Sequence, residues 1–458
     1  MKSDIVVVGG GASGLMAAYS AADSLVAGGS DAQVLVLEKM PRPARKIMIS
    51  GKGRCNFTNV KEWNAFSSHV RANSGMLRPA YYNLTPDALI ALFSSYGMKS
   101  VVERGDRAFP ESHRASDVVD VLVRACTSKG VKIMCDSEVT AMDRKGEKFV
   151  LELASGEKCE CRRLILATGG LSYPGTGSTG DGYGWASGFG HRITRTFPSL
   201  TALVPAGYKM IDSEQSDPAL PHHIDRGAPL TELGQKLCGV HLKNIGMTLV
   251  IDGCIADEEF GDVDFTDGGL EGPLGFRFSR QAVKAMLNGG HVTLVLDLKA
   301  AVDAAELLER VRDIYSEIDA DPRSLHLKEK EKCRILLGKL MPWELIPGFL
   351  AMNSEVFSTK KIRNRRIPVR VNLDVLSAAL KNWRLPVEGY VGYERAVVTA
   401  GGVSADGIVP KSLESRLVPG LHICGELLDI DADTGGYNLH SAFATGALAG
   451  RSAAKSLL

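Results

Sequence analysis

The residues that most directly imply chemistry are Gly9-x-Gly11-x-x-Gly14. They follow the apolar run Ile5 to Val8 and open a stretch with alanines and leucine at helical spacing, closed by Gly28-Gly29. In that setting Gly9 permits a tight turn, Gly11 lets the backbone approach a pyrophosphate, and Gly14 lets helix and strand pack closely. Ala12 and Ser13 begin the helix, where N–H groups and a partial positive charge face the phosphates. Gln33 to Glu38 reads as a second strand. A carboxylate at its end accepts hydrogen bonds from both hydroxyls of a ribose and repels a 2′-phosphate, which disfavours NADP as the resident nucleotide. Strand, glycine turn, helix and strand form a βαβ unit with parallel strands and a right-handed crossover.

The glycine pattern alone does not separate FAD from NAD. Three further segments favour a flavin. Ile165 to Gly170 is a strand ending in the small-residue turn Thr168-Gly169-Gly170, suited to the adenosine half of FAD. Cys424 to Asp429 is a strand followed by Gly425, Glu426 and Asp429, placed for the ribityl and pyrophosphate region. Gly435-Gly436-Tyr437-Asn438 precedes a last, alanine-rich helix from Ser441 to Leu458. The start of that helix suits the flavin N1–C2=O edge, where negative charge accumulates on reduction. A basic loop adds Lys46, Gly51, Gly53, Arg54 and Cys55, its glycines allowing the backbone to fold against a ligand. Lys39, beside Glu38, and Val139, in the strand-rich stretch Val131 to Leu153, complete the expected cofactor contacts. Cys55 reads as a packed, inert thiol. Tyr173 is a candidate for substrate contact or proton transfer, and no catalytic residue is assigned.

Together these segments resemble the single-Rossmann FAD flavoproteins known as NAD(P)/FAD-dependent oxidoreductases or aminoacetone-oxidase-like enzymes, whose relatives include bile-acid-pathway reductases. The resemblance is carried by Gly9 to Gly14, Ser50 to Asn59, Ser172 to Tyr183, Val398 to Val403, Gly425 to Asp429 and Gly435 to Asn438. It implies noncovalent FAD, held by the N- and C-terminal segments of a Rossmann-type domain. Thr266-Asp267 and Glu271-Gly272-Pro273 stand where the family usually has a Thr-His pair and a Ser-Gly-Pro.

The expected fold is therefore α/β: a Rossmann-like FAD-binding domain, residues 1–195 plus 389–458, interrupted by an antiparallel β domain over 196–302. A helical subdomain and return connection occupy 303–388. Segment 206–232 reads as irregular and 240–298 as short strands. The chain has 458 residues, more than one ordinary core holds. A net charge of +1 gives no global attraction to nucleic acid or an anionic membrane. The near-balanced charges of 303–350 likewise argue against RNA. Nine cysteines without a Cys-x-x-Cys pair, ten histidines without metal spacing, and no secretory signal suggest a cytoplasmic protein without structural metal. The expected activity is NAD(P)H-linked reduction of an unsaturated or carbonyl-type small molecule, with NADH or NADPH docking transiently. Two alternatives stand beside it. One is an amine oxidase producing hydrogen peroxide; the other is a flavoprotein with structural or sensory FAD and a protein partner.

Overall fold

The computed structural model describes residues 1–211, 218–362 and 365–458, without the side chains of 359–369. The chain forms two compact units, Met1–Pro198 with Ala396–Leu458, and Ser199–Arg395.

The first unit is built on five parallel strands in the order Leu421–Ile423, Arg163–Leu166, Ile5–Val8, Val34–Leu37, Lys132–Met134. Its central strand is buried at every position, as an apolar run covered on both faces must be. The glycine turn leads from that strand into the helix Ala12–Ala27. The last helix, Tyr437–Lys455, packs against it with almost no room between the backbones. A Cβ added at Gly446 would stand 2.2 Å from the Ser13 carbonyl oxygen, and one at Gly450 would stand 2.0 Å from that of Ala17. This helix begins four residues before the expected Ser441, because Gly436, at φ +95°, is its N-cap. Thr85 caps the helix Pro86–Ser95, its hydroxyl accepting from the Ala88 N–H. Cys159 and Cys161 share the buried face of the strand Lys158–Cys161.

The second unit contains a closed antiparallel barrel. Its staves are Leu203–Pro205, Gly269–Glu271, Cys254–Thr266, His241–Ile251, Val292–Asp297 and Trp383–Val391, the last pairing back onto the first. His223–Ile224 adds in parallel to Trp383–Val391. The reading of 240–298 as strands alone is corrected here: Gly272–Leu287 is a helix, burying Leu274, Phe278, Ala282 and Met286 at four-residue spacing. The second unit also extends to Arg395 rather than ending at 388, because Trp383–Val391 is a barrel stave. Residues 303–388 are not purely helical. After the helices Ala304–Ala320, Glu329–Leu340 and Ile346–Met352, the strands Phe357–Ile362 and Arg365–Val371 form an antiparallel hairpin. Segment 206–232 lies partly outside the described residues, at 212–217. No helix among the described residues is long and apolar enough to cross a membrane.

Candidate flavin site

Each of the three glycines has a separate steric reason. At Gly9, φ is +102° and a Cβ would lie 2.6 Å from the Ala167 carbonyl oxygen. At Gly14 a Cβ would lie 1.8 Å from the Gly9 carbonyl oxygen. Around Gly11 there is nothing within 4 Å, so the turn leaves open space at the position expected to meet a pyrophosphate. Gly11 is also the N-cap of the helix Ala12–Ala27, and no side chain caps that end. Glu38 is fixed beside this opening. One carboxylate oxygen accepts from the Gly10 N–H at 2.7 Å and the other from the Met40 N–H at 2.8 Å. A carboxylate has about four acceptor sites, so roughly two remain for ribose hydroxyls.

Four sequence segments meet at one polar junction. Lys46 Nζ lies 2.8 Å from Glu426 Oε2 and donates to Ser172 Oγ at 2.7 Å. Glu426 Oε1 accepts from Ser172 Oγ at 2.7 Å and from the Thr399 N–H at 2.8 Å. Burial pushes the Glu426 carboxyl up, but the Lys46 ammonium and these donors prevail and hold it below its usual range. A Cβ at Gly170 would lie 2.4 Å from Thr399 Oγ1, so the small-residue turn after Leu166 is held tightly here. Gly425 joins the first helix in the same manner: its Cβ would lie 2.3 Å from Ser13 Oγ. Ser172 and Thr399 were not singled out from sequence, because neither carries charge; only their place in the Ser172 and Val398 motifs pointed to them.

The basic loop winds through left-handed backbone, with φ of +56° at Gly51, Lys52 and Cys55 and +84° at Gly53. Cys55 is fully buried, and burial pushes its thiol up to about 11. Arg54 is paired with Glu103 and lies 4.5 Å over the Phe109 ring. Lys39 pairs with Asp181 at 2.6 Å, fastening the Ser172-to-Tyr183 motif to the end of the second strand. Val139 is buried and opens the strand Val139–Lys145, opposite Leu153. The Asp429 N–H donates to the Val403 carbonyl at 3.0 Å. Tyr173 adopts φ +51° before a short 3-10 turn.

At the last helix, the Asn438 side chain is committed internally, donating to the Ala432 and Asp433 carbonyls at 2.7 and 3.1 Å. Tyr437 is buried against Phe66 and stacked on His69, with centroids 5.0 and 4.4 Å apart. The backbone of these residues, rather than their side chains, is therefore what the helix start offers. Gly435 and Gly436 have φ of +121° and +95°, and the Asn59 side chain donates to the Gly435 carbonyl at 3.1 Å. Arg71 chelates Asp433, donating from Nε at 2.6 Å, and His69 Nδ1 lies 3.0 Å from the same carboxylate. Sequence reading missed this brace, since residues so far apart in the chain give no local signal.

Two buried acceptors in these segments, Asn56 Oδ1 and Thr168 Oγ1, have no protein hydrogen-bond partner. Buried polar atoms without partners are uncommon in folded proteins. With the open space at Gly11 and the fixed Glu38, they fit a flavin dinucleotide.

In the second unit the two departures from the family pattern prove to be one feature. Arg395 Nη1 pairs with Asp267 at 2.7 Å, Nε pairs with Glu271, and Nη2 reaches Thr266 Oγ1 at 3.1 Å. Burial pushes the Asp267 carboxyl up, and the Arg395 guanidinium more than offsets this and lowers it.

Residues 3–452 match the HI0933-like protein Rossmann domain. A 3-dehydro-bile acid delta(4,6)-reductase of Clostridium scindens is 29% identical over 98% of this chain and 99% of its own. A ribosomal RNA dihydrouridine synthase of Escherichia coli is 28% identical over 97% of this chain and 96% of its own. Among solved structures, a 3-ketosteroid delta1-dehydrogenase from Sterolibacterium denitrificans has a TM-score of 0.48 at 13% identity, covering 99% of this chain and 100% of that one. With the family match spanning almost its whole length, the chain belongs to the HI0933-like Rossmann family and is an FAD-dependent oxidoreductase.

Proposed function

We propose that the protein is a reductase that saturates a carbon–carbon double bond conjugated to a carbonyl, with NADH or NADPH as donor and noncovalent FAD as carrier. The observation that carries this reading is the Gly9–Gly14 turn with Glu38 fixed beside it, in a chain similar end to end to two reductive enzymes. A delta(4,6)-unsaturated 3-oxo steroid and a uracil ring both present an alkene activated by a carbonyl. When bound, FAD supplies the hydride chemistry.

The residues of this chain have definite tasks in that scheme. Gly11 and the helix start at Ala12 hold the pyrophosphate, and Glu38 holds the ribose. The start of the helix Tyr437–Lys455 stabilises negative charge that grows on reduction. Lys46 and Glu426 neutralise one another, so the junction they form with Ser172 and Thr399 positions backbone without adding net charge. The glycine fingerprint read at Gly9–Gly14 belongs to FAD, and the nicotinamide donor docks transiently.

Anaerobic mixing tests this reading. NADH or NADPH should bleach the flavin absorbance rapidly, and a steroid 4-en-3-one or a uridine-containing RNA should restore it. If no nicotinamide bleaches the flavin, while small amines do so and yield peroxide in air, the protein is an oxidase and the proposal fails.

A further inference from the structure

We propose that His69, held by the Asp433 carboxylate beside the start of the last helix, is the acid that protonates the substrate as its double bond is saturated. The inference rests on the reductase reading, because a hydride forms only one of the two new C–H bonds and the second carbon needs a proton.

The tautomer of His69 follows from its neighbours. Asp433 is buried and accepts from Arg71 Nε at 2.6 Å and from Arg71 Nη2 at 2.5 Å. Burial pushes its carboxyl up, but His69 and Arg71 prevail and hold it below its usual range. An ionised carboxylate only accepts, so His69 Nδ1, 3.0 Å from Oδ2, carries a hydrogen and donates it. Protons therefore come and go at Nε2. Among the described residues Nε2 has no hydrogen-bond partner, and the side chain is 32% exposed, so the ring exchanges protons with solvent.

Backbone pairing fixes the ring in place. The Arg71 N–H donates to the Asp431 carbonyl at 2.7 Å and the Asp433 N–H to the His69 carbonyl at 2.9 Å, with Val70 bridged to Ala432 between them. Asn438 ties this ribbon to the helix start, accepting from the Ala432 N–H at 2.9 Å. Tyr437 stacks on the imidazole, the two rings 19° from parallel. The charged and titratable groups that face His69 are thus Asp433, Arg71 behind it, and Tyr437. Burial, with Asp433 and Asp106 nearby, pushes the Tyr437 hydroxyl up, so that group stays neutral. A histidine ordered by a buried carboxylate and open at its other nitrogen is built for proton transfer. The other acids near these segments are less suited. Cys55 is buried with its thiol pushed up, and His113 Nδ1 lies 2.9 Å from Arg54 Nη2, which opposes a second positive charge.

The step balances with the donor already named. While NADH or NADPH reduces the flavin, Nε2 takes a proton from solvent. The negative charge that arrives with the electrons favours the protonated imidazole, so the two events are linked. The hydride from the flavin then bonds to the carbon farther from the carbonyl. The π electron pair of the double bond takes the Nε2 proton at the carbon beside the carbonyl. Nε2 recovers its lone pair, and the flavin returns to its oxidised form.

Spectroelectrochemical titration of the flavin-loaded full chain, between pH of about 5 and about 8, tests this without a substrate. Over part of that range the wild type should take up about one more proton per two electrons than H69Q does. In D433N the extra uptake should move to lower pH by about one unit, because the carboxylate that favours the charged ring is gone. Flavin content and thermal midpoint serve as fold controls. Should the variants misfold, hydrogen exchange at C2 of His69, read by mass spectrometry in wild-type protein, should titrate at higher pH in the reduced state than in the oxidised state. An unchanged proton count in folded H69Q overturns the proposal. So does an unmoved range in folded D433N, or a His69 exchange profile that ignores the redox state. If the extra proton depends on His69 but no nicotinamide bleaches the flavin, the reductase reading fails and the linked proton site stands.

Discussion

Glu38 concentrates the residue-scale argument, because its two oxygens are each held by one backbone N–H at the edge of the glycine turn. Hydrogen bonds to a charged group contribute about 1.5–3 kcal/mol each. Glu38→Gln should therefore weaken FAD binding to the apoprotein roughly 10- to 100-fold, read by titration of flavin fluorescence. Glu426 behaves differently, since its lowered folded pKa ties it to stability. Its contribution is present above the ordinary carboxylate value of 4.5 and is lost as pH falls through the lower folded value. Glu426→Gln should cost about 1–3 kcal/mol at neutral pH and flatten the acid limb of a urea-midpoint profile. An unaltered limb would remove Glu426 from the account. Arg395 tests the coupled departures. Arg395→Met alone strands the buried Glu271 carboxylate and should cost about 3 kcal/mol. Adding Asp267→His and Glu271→Ser should restore most of the thermal midpoint, and failure to recover would mean that the two departures are independent.

At the scale of elements, the two helices flanking the site are locked by small residues. Gly450→Ala would set a methyl group 2.0 Å from the Ala17 carbonyl oxygen. Overpacking of this kind costs about 1–3 kcal/mol or more, so the variant should melt several degrees lower with reduced flavin content. Elements with a strong local signature were legible from sequence. The Gly9 turn and the apolar strands each carry their own punctuation. The helix Gly272–Leu287 was not legible. It follows a strand directly through Gly272, at φ +83°, and no side-chain cap marks its start. The junction of Lys46, Ser172, Thr399 and Glu426 was visible only as separate motifs, because spacing along a chain does not reveal a hydrogen bond spanning hundreds of residues.

The whole molecule adds a pH dependence that no single motif announces. His440 and His422 are buried in the first unit, and burial pushes their imidazoles down to about 3 and about 4. A histidine kept neutral in the fold stabilises fully above its unfolded value of about 6.5, and that contribution is lost as pH falls toward the folded value. Between pH of about 6.5 and 4, stability should therefore fall by up to about 1.4 kcal/mol per pH unit for each histidine. Urea midpoints across that range would show it; a flat profile down to about pH 5 would contradict the buried neutral state.

Acid denaturation of the purified protein, followed by chromatography of the released nucleotide, tests the central claim most directly. The account predicts about one FAD per chain, freed without proteolysis, and a lower FAD content in the Glu38→Gln variant. Protein that yields no flavin and cannot be reconstituted with FAD, or that yields NAD instead, would contradict it.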